Sequence, residues 1–210
     1  MDPVDLALVI ALDGSASVDL REFDLMTRGL GWALREPDVV AGLTAGPARA
    51  SFCAVLLWSG VGVQDVVVGW TRVGTVSAAQ AFADAVENAP RSIRAGGTAI
   101  GEALIASLLL LGELPAPAGR HVIDIAGDGR SNEGRAPGPI RDRLVAAGLT
   151  INALGVINEE PDLLDYFRAH VIGGPGAFAL ACHDYADFAE AMREKLVREI
   201  ASGPVTTQAG

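Results

Sequence analysis

Two carboxylates and three hydroxyls stand in three separate, glycine-containing segments of the chain. The segment LDGSASVD (12–19) follows an apolar run and carries Asp13, Ser15 and Ser17. Thr98 ends the segment GGT, and Asp128 lies between two glycines. All five side chains offer hard oxygen donors, and the three segments contain no His or Cys. The set therefore suits Mg²⁺ or Mn²⁺ better than a softer metal.

The first segment also has a purely structural interpretation. Ser17 or Asp19 could cap the helix that follows, and Asp13 could satisfy a turn. Asp19 with Glu22 three residues later fits a capping box. The Asp-x-Ser-x-Ser pattern alone leaves both interpretations open. The donors in the two other segments favour the metal site if the fold brings all three together.

Apolar runs bounded by turn residues alternate with segments of helical periodicity. This pattern predicts strands at 4–12, 50–58, 65–70, 121–127, 150–157 and 176–182. It predicts helices at about 19–35, 78–89, 99–112, 137–147, 161–170 and 185–201. Strands joined by helical crossovers form a parallel sheet with helices on both faces. The link between the second and third strands is too short for a crossover, so these two must form an antiparallel hairpin.

The predicted topology tells where the candidate donors should lie. In open α/β sheets, ligands bind beyond the carboxyl ends of the strands, at the switch point beside the first strand. The segment 12–19 leaves the first strand there, and Gly127-Asp128-Gly129 leaves the strand at 121–127. We therefore expect the three donor segments to converge at this edge.

With these residues in view, the chain resembles the von Willebrand factor type A (vWA) domain, also called the integrin I-domain fold. Asp13, Ser15, Ser17, Thr98 and Asp128 look like its metal-ion-dependent adhesion site. The stretches VDLALVIALDGSASV, GGTAIGEAL, VIDIAGDG and HVIGGPGAF resemble a bacterial subgroup of unknown function whose members often carry secretory leaders. The resemblance covers nearly the whole chain. It implies a Rossmann-like three-layer α/β/α fold with a mainly parallel central sheet, strand order 3-2-1-4-5-6, and strand 3 antiparallel at the edge.

The resemblance also implies a function. In the family a divalent ion, usually Mg²⁺, is held by the hydroxyls directly and by the carboxylates directly or through water. Mn²⁺ and Ca²⁺ are the alternatives. One coordination position stays open for an acidic group of a partner. The expected function is a non-enzymatic, adhesion-type module that binds a protein or peptide presenting Asp or Glu. One departure is that many members end the fourth strand in Thr-Asp-Gly, where this chain has Gly127-Asp128-Gly129.

A different class of function remains as the alternative: a Mg²⁺-dependent phosphohydrolase of haloacid-dehalogenase type with Asp13 as the nucleophile. That chemistry needs a second acid two residues on and a mid-chain lysine that neutralises the phosphoryl group. Position 15 is Ser15, and the one lysine of the sequence, Lys195, lies in the terminal helix. These differences disfavour the enzyme.

Charge and hydropathy bound the partners and the location. A net charge of −10 argues against nucleic acid and anionic membranes. The apolar runs are too short for membrane insertion, and the Met-Asp-Pro start carries no signal peptide. The family resemblance favours a periplasmic or secreted protein whose leader has been removed, with the cytoplasm as the alternative. We expect a single domain at 1–202 and a flexible tail at 203–210.

Asp124 is an unusual carboxylate in the middle of an apolar strand. At ~3.3 Å per residue it lies about 13 Å along the strand from Asp128, too far to ligate the same ion. We expect it to pair with a nearby donor such as His121 or an arginine.

The two cysteines lie on different predicted strands, and neither belongs to a CxxC or Cys/His cluster of the zinc-binding kind. In the family's sheet order Cys53 and Cys182 are about 19 Å apart, whereas a disulfide needs about 7 Å or less. Both are predicted to be buried free thiols.

Overall fold

Six strands form one mixed sheet in the computed structural model, which describes residues 2–201. They are β1 (Val4–Asp13), β2 (Ser51–Trp58), β3 (Gln64–Val73), β4 (Ala118–Gly127), β5 (Thr150–Val156) and β6 (Ala179–Cys182). Their order is β3-β2-β1-β4-β5-β6, and the β2–β3 pair alone is antiparallel. The predicted fold class and strand order are confirmed. The tail predicted at 203–210 lies outside the described residues.

The helices of the described chain cover both faces of the sheet. They are α1 (Leu20–Arg35), α2 (Pro37–Leu43), α3 (Val76–Glu87), α4 (Ile100–Leu111), α5 (Pro137–Ala146), α6 (Leu163–His170) and α7 (Phe188–Ala201). Helices α1, α2, α3 and α7 share one core with the sheet, and α4, α5 and α6 share another. Helix α2 was not predicted. It is short and begins with Pro37 at its first turn, where a missing N–H costs nothing.

Strand β4 sends alternate side chains into the two cores, as the pleat of a strand requires. Val122 and Ala126 join the core that contains α7, whereas Ile123 and Ile125 join the opposite one. Asp124 follows the alternation of Val122 and Ala126, so its carboxylate faces α7.

This alternation shows why the predicted partner of Asp124 is wrong. His121 lies an odd number of positions away and so points to the opposite face of the strand. Arg120 shares the correct face, but its guanidinium donates to the carbonyl oxygen of Glu199 at 3.3 Å. The partner of Asp124 is Lys195 of α7.

The strand predicted at 176–182 is shorter than expected. Gly174 and Gly176 both have positive φ, 96° and 70°, and form a turn, so β6 begins only at Ala179. Cys53 and Cys182 are buried and unpaired, as predicted. Among residues 2–201, no helix combines the length and apolarity needed to cross a membrane.

Candidate metal-ion site

Asp13 ends β1 and anchors the candidate site. Its side chain is fully buried, and its Oδ1 accepts a 2.7 Å hydrogen bond from the backbone N–H of Ser15. This local bond turns the chain at the end of the strand. The other oxygen, Oδ2, is buried and has no hydrogen-bond partner among the described residues. A buried acceptor left without a partner costs free energy unless a cation or water reaches it.

The hydroxyl of Ser17 is free to serve the site, because another residue caps the helix. Asp19 is the N-cap of α1, and both bonds of the predicted capping box with Glu22 are present at 2.8 Å. Ser17 instead donates to Oδ1 of Asp128 at 2.7 Å, and its Oγ lies 3.1 Å from that of Ser15. The helix-cap interpretation of Ser17 is therefore wrong.

Asp128 follows β4 and joins two further elements to the site. One carboxylate oxygen accepts from Ser17, and the other accepts a 3.1 Å hydrogen bond from the hydroxyl of Tyr185. Tyr185 lies between β6 and α7 and is buried. A tyrosine on one side and a serine on the other fix the plane of the Asp128 carboxylate.

Thr98 enters from the loop before α4. The backbone N–H of Ala16 donates to the carbonyl of Gly96 at 2.9 Å and so joins this loop to the Asp13 segment. The N–H of Thr98 donates to Oδ1 of Asn132 at 2.8 Å. A Cβ added at Gly129 would lie 3.9 Å from Thr98 Oγ1, so this hydroxyl borders the loop of Asp128. All three predicted segments meet at one edge of the sheet.

Burial, and then repulsion between two carboxylates, determine the electrostatics of this cluster. The pKa of Asp13 is raised to about 7, first by burial and then by the negative charge of Asp128. Hydrogen bonding by Ser15 and the guanidinium of Arg91 offset this only in part. The pKa of Tyr185 is raised as well, by burial and by the same two carboxylates, so its hydroxyl stays protonated as a donor. A cation between the carboxylates would relieve this repulsion.

Gly127 leaves room for the Asp13 carboxylate. An added Cβ at this position would lie 2.8 Å from Asp13 Oδ2, closer than real Cβ contacts allow. Many family members have threonine where this chain has Gly127. The glycine leaves space for an Asp13 carboxylate that points toward β4.

Three residues that position the site were not predicted. The guanidinium of Arg91 donates from one nitrogen to the carbonyls of Gly14 and Ser15, each at 3.0 Å. Asn132 holds the Thr98 loop, and Tyr185 holds Asp128. Arg91 and Asn132 lie in irregular loops and follow no pattern, whereas a tyrosine between the last strand and the last helix could have been considered.

The donor set fits a hard divalent ion that relies on hydroxyls and water. Within residues 2–201, no three His, Cys, Asp or Glu side chains gather into a metal-binding group. Two carboxylates and three hydroxyls form an oxygen-only set of the kind Mg²⁺ and Mn²⁺ prefer, and Oδ2 of Asp13 has no other partner among the described residues.

The fold, with its antiparallel third strand at the sheet edge, is that of a vWA domain. The chain belongs to the family described as protein of unknown function DUF1194, whose model matches residues 3–204. No curated protein matches the sequence.

Several solved structures share the fold. The von Willebrand factor type A protein from Catenulispora acidiphila has 19% identity and a TM-score of 0.64 over 94% of this chain and 43% of its own. Proximal thread matrix protein 1 from the mussel byssus, with a zinc-occupied MIDAS motif, has 19% identity and a TM-score of 0.65 over 95% of this chain and 46% of its own. The vWF domain of the pilus tip protein Mfa5 from Porphyromonas gingivalis has 10% identity and a TM-score of 0.63 over 95% and 96% of the two chains. This chain thus spans less than half of the first two.

Proposed function

We propose that this protein is a non-enzymatic binding module that engages a protein or peptide through a bound Mg²⁺ ion. The ligands are Asp13, Ser15, Ser17, Thr98 and Asp128. One observation carries the proposal: Oδ2 of Asp13, which is buried and has no hydrogen-bond partner within residues 2–201, lies in a cluster of hard oxygen donors beside a second carboxylate. Such a cluster is costly for the fold alone and favourable around a cation.

The charge of the site determines what the partner offers. Two ionised carboxylates and one divalent ion sum to about zero, and the remaining donors are neutral. An ion held this way keeps much of its Lewis acidity and favours a further anionic oxygen. A Glu or Asp of the partner completes the octahedron by replacing a water. The metal-occupied motif of the mussel protein and the pilus location of the Mfa5 domain agree with this role.

A phosphohydrolase of the alternative kind would need a lysine and a second acid close to Asp13. Lys195 is fully buried against Asp124 in the core beside α7, so it does not reach Asp13. Position 15 supplies a hydroxyl in place of the second acid. A candidate ion site without that second acid or a lysine suits binding better than phosphoryl transfer.

Titration of the protein with Mg²⁺ or Mn²⁺ in a calorimeter should give one saturable binding event. A peptide-display selection in Mg²⁺, eluted with chelator, should then enrich peptides whose affinity depends on an Asp or Glu. Replacing that residue by its amide should abolish binding, because the amide oxygen is a weaker ligand for a hard cation. The absence of saturable uptake of either ion, or peptide binding that persists in chelator, would contradict the proposal.

Replacing Tyr185 by phenylalanine should weaken ion binding about 10- to 100-fold, the usual effect of losing a hydrogen bond that orients a metal ligand. The hydroxyl donates to Asp128 at 3.1 Å and fixes the carboxylate. Calorimetric titration of both forms measures the change.

Tyr166→Phe is the matched control for this prediction. The hydroxyl of Tyr166 accepts from the backbone N–H of Ser131 and contacts neither carboxylate of the site. Ion affinity should be unchanged in this variant. Equal losses of affinity in the two variants would show that the effect is general and that Tyr185 does not orient a ligand.

A further inference from the structure

A second group of ionisable side chains lies in the core beside α7, apart from the candidate ion site. Lys195 and Glu199 stand one turn apart on α7, facing Asp124 of β4 and Asn152 of β5. Lys195 is 0% exposed, Asp124 and Glu199 are each 1% exposed, and Asn152 is 2% exposed. Charged side chains are almost never buried this completely unless they are paired.

The contacts within this group place an amine against a carboxyl group. Nζ of Lys195 is in contact with Oδ1 of Asp124 and lies 3.2 Å from Oε2 of Glu199. Neither oxygen of Asp124 makes a hydrogen bond of regular geometry among the described residues. A buried ionised carboxylate normally accepts several such bonds. The amine of Lys195 therefore lies directly against a carboxyl group that no backbone donor among the described residues holds.

Glu199 is held in place from the other side. Asn152 donates from Nδ2 to Oε1 of Glu199 at 3.1 Å. Oδ1 of Asn152 accepts from the backbone N–H of Phe178 at 3.0 Å, which fixes the orientation of the amide. The Glu199 carboxyl is thus held against both Lys195 and Asp124.

The proton balance of the group permits an uncharged amine. One ammonium, one carboxylate and one carboxylic acid sum to zero, and so do one free amine and two carboxylic acids. Passing the proton from Lys195 to a carboxylate therefore adds no net charge to the apolar core. Burial and the charge of Asp124 raise the pKa of Glu199, which favours its protonated form.

The free amine is nevertheless the minor form. Burial lowers the pKa of Lys195, but the charges of Asp124 and Glu199 outweigh burial and raise it overall. A reaction through the free amine would be slow, which suffices for an event that happens once in each folded molecule.

We propose that Lys195 and Asp124 are joined by an intramolecular amide bond that forms after the chain has folded. The free amine of Lys195 attacks Cγ of protonated Asp124, and the N–C bond forms. One Cγ–O bond of Asp124 breaks, and this oxygen leaves as water with the proton of its own hydroxyl and a second proton from the carboxyl group of Glu199. Glu199 takes one proton from the nitrogen in exchange and is regenerated. The step needs no oxidant or cofactor.

The fold supplies what this condensation needs. Holding the amine against the carboxyl replaces an encounter between two groups by an intramolecular step, which is worth many orders of magnitude in rate. Water is the reactant that would hydrolyse the amide, so its exclusion from the core favours the bond. Glu199 touches the reacting nitrogen and so acts as general acid and base. The product closes residues 124–195 into a covalent ring that ties α7 to the centre of the sheet.

Mass spectrometry of the full chain under denaturing conditions tests the bond, because denaturation separates an ion pair but leaves an amide intact. The mass should be lower than the sequence mass by one water molecule. Trypsin should release residues 121–130 covalently joined to residues 194–198, since an acylated Lys195 is not cut. A chain of full sequence mass with no joined peptide overturns the proposal, and this result does not depend on any variant.

Variants then test the assigned roles. Lys195→Arg keeps a cation but removes the nucleophile, so its full sequence mass is expected. Glu199→Gln keeps both reacting groups and should also show its full mass while it remains folded by circular dichroism. Glu194→Gln changes an exposed residue of the same helix and should still lose one water. Complete condensation in folded Glu199→Gln would overturn the role given to Glu199.

Discussion

Replacing Lys195 by methionine is expected to lower the free energy of unfolding by about 3–5 kcal/mol, the usual cost of leaving a buried charge without its partner. Methionine fills a similar volume, so the loss reflects the charge more than a cavity. Asp124 and Glu199 would remain in the core without the ammonium that now lies against both. Lys195→Met should be less stable than the wild type whether or not the wild type forms the amide bond, because a variant without that bond no longer ties α7 to the sheet. Denaturant unfolding of both proteins measures the difference.

The stability deficit of Lys195→Met should grow as the pH rises. Burial and the charge of Asp124 already raise the pKa of Glu199, and Lys195 opposes this shift. Without Lys195, the folded-state pKa exceeds the unfolded value further still. A carboxyl with a raised folded-state pKa stabilises the fold below its unfolded pKa, and this contribution is lost as the pH rises through the folded pKa. Wild type and variant lose this contribution together up to a pH of about 8, the raised pKa of Glu199, and above it only the variant continues to lose it. The deficit should therefore be larger at pH 9.5 than at pH 8.

A neutral triple variant is the control for this prediction. Lys195→Met combined with Asp124→Asn and Glu199→Gln removes every charge of the group at nearly constant volume. It should recover the part of the lost stability that is due to uncompensated charge, and its deficit should no longer depend on pH in this range. Unfolding of Lys195→Met within 1 kcal/mol of the wild type at pH 8, well below the usual cost, would show that Lys195 compensates no buried charge.

The parts of the fold that could be predicted follow from local geometry. The link between β2 and β3 is too short for a crossover, and this alone determines the antiparallel pairing. β1 and β2 are buried on both faces, and their unbroken apolar runs indicated this. The sequence gives no comparable indication of which residue pairs with Asp124. Its partner Lys195 is set by the docking of α7, although Lys195 and Glu199 are spaced to lie on one side of that helix, next to the buried Leu196.

The candidate site likewise contains residues that could be predicted and residues that could not. Asp13 and Asp128 could be placed at one edge because both follow neighbouring parallel strands. Whether Ser17 capped α1 depended on the backbone of a single turn, and the cap is Asp19. Tyr185 and Arg91 come from irregular segments, whose course depends on the packing of the whole molecule. Sequence patterns therefore predict the candidate ligands better than the residues that hold them.

Replacing Asp13 by asparagine is expected to abolish measurable ion binding and, without an ion, to stabilise the fold by about 1–3 kcal/mol near neutral pH, because the raised pKa of Asp13 reflects a buried charge that the amide lacks. Asparagine keeps the acceptor that Oδ1 offers to the N–H of Ser15. It removes the charge that opposes Asp128 and exchanges the buried Oδ2 for an amide nitrogen, which can donate to a neighbouring oxygen. An ion site loses one of its two charges by this substitution, so little affinity should remain.

The order of stability of the two proteins should reverse between chelator and saturating Mg²⁺, as measured by thermal or denaturant unfolding. In chelator Asp13→Asn should be the more stable. In Mg²⁺ the wild type should overtake it, because an ion that binds only the folded state adds about 2.7 kcal/mol at a hundred times its Kd.

Asp5→Asn makes the same substitution at the other end of β1, where Oδ1 accepts from the N–H of Ala48 and Oδ2 is likewise buried without a partner. It shares the unsatisfied oxygen but has no second carboxylate of the site beside it. A gain in stability from Asp5→Asn is compatible with the proposal, whereas any loss of its response to Mg²⁺ is not. If Asp13→Asn kept the full Mg²⁺-dependent gain in stability, the ion would not be held at this edge of the sheet. A site that destabilises the fold until its ion arrives is what selection for binding, and not for stability, would leave at the end of a buried strand.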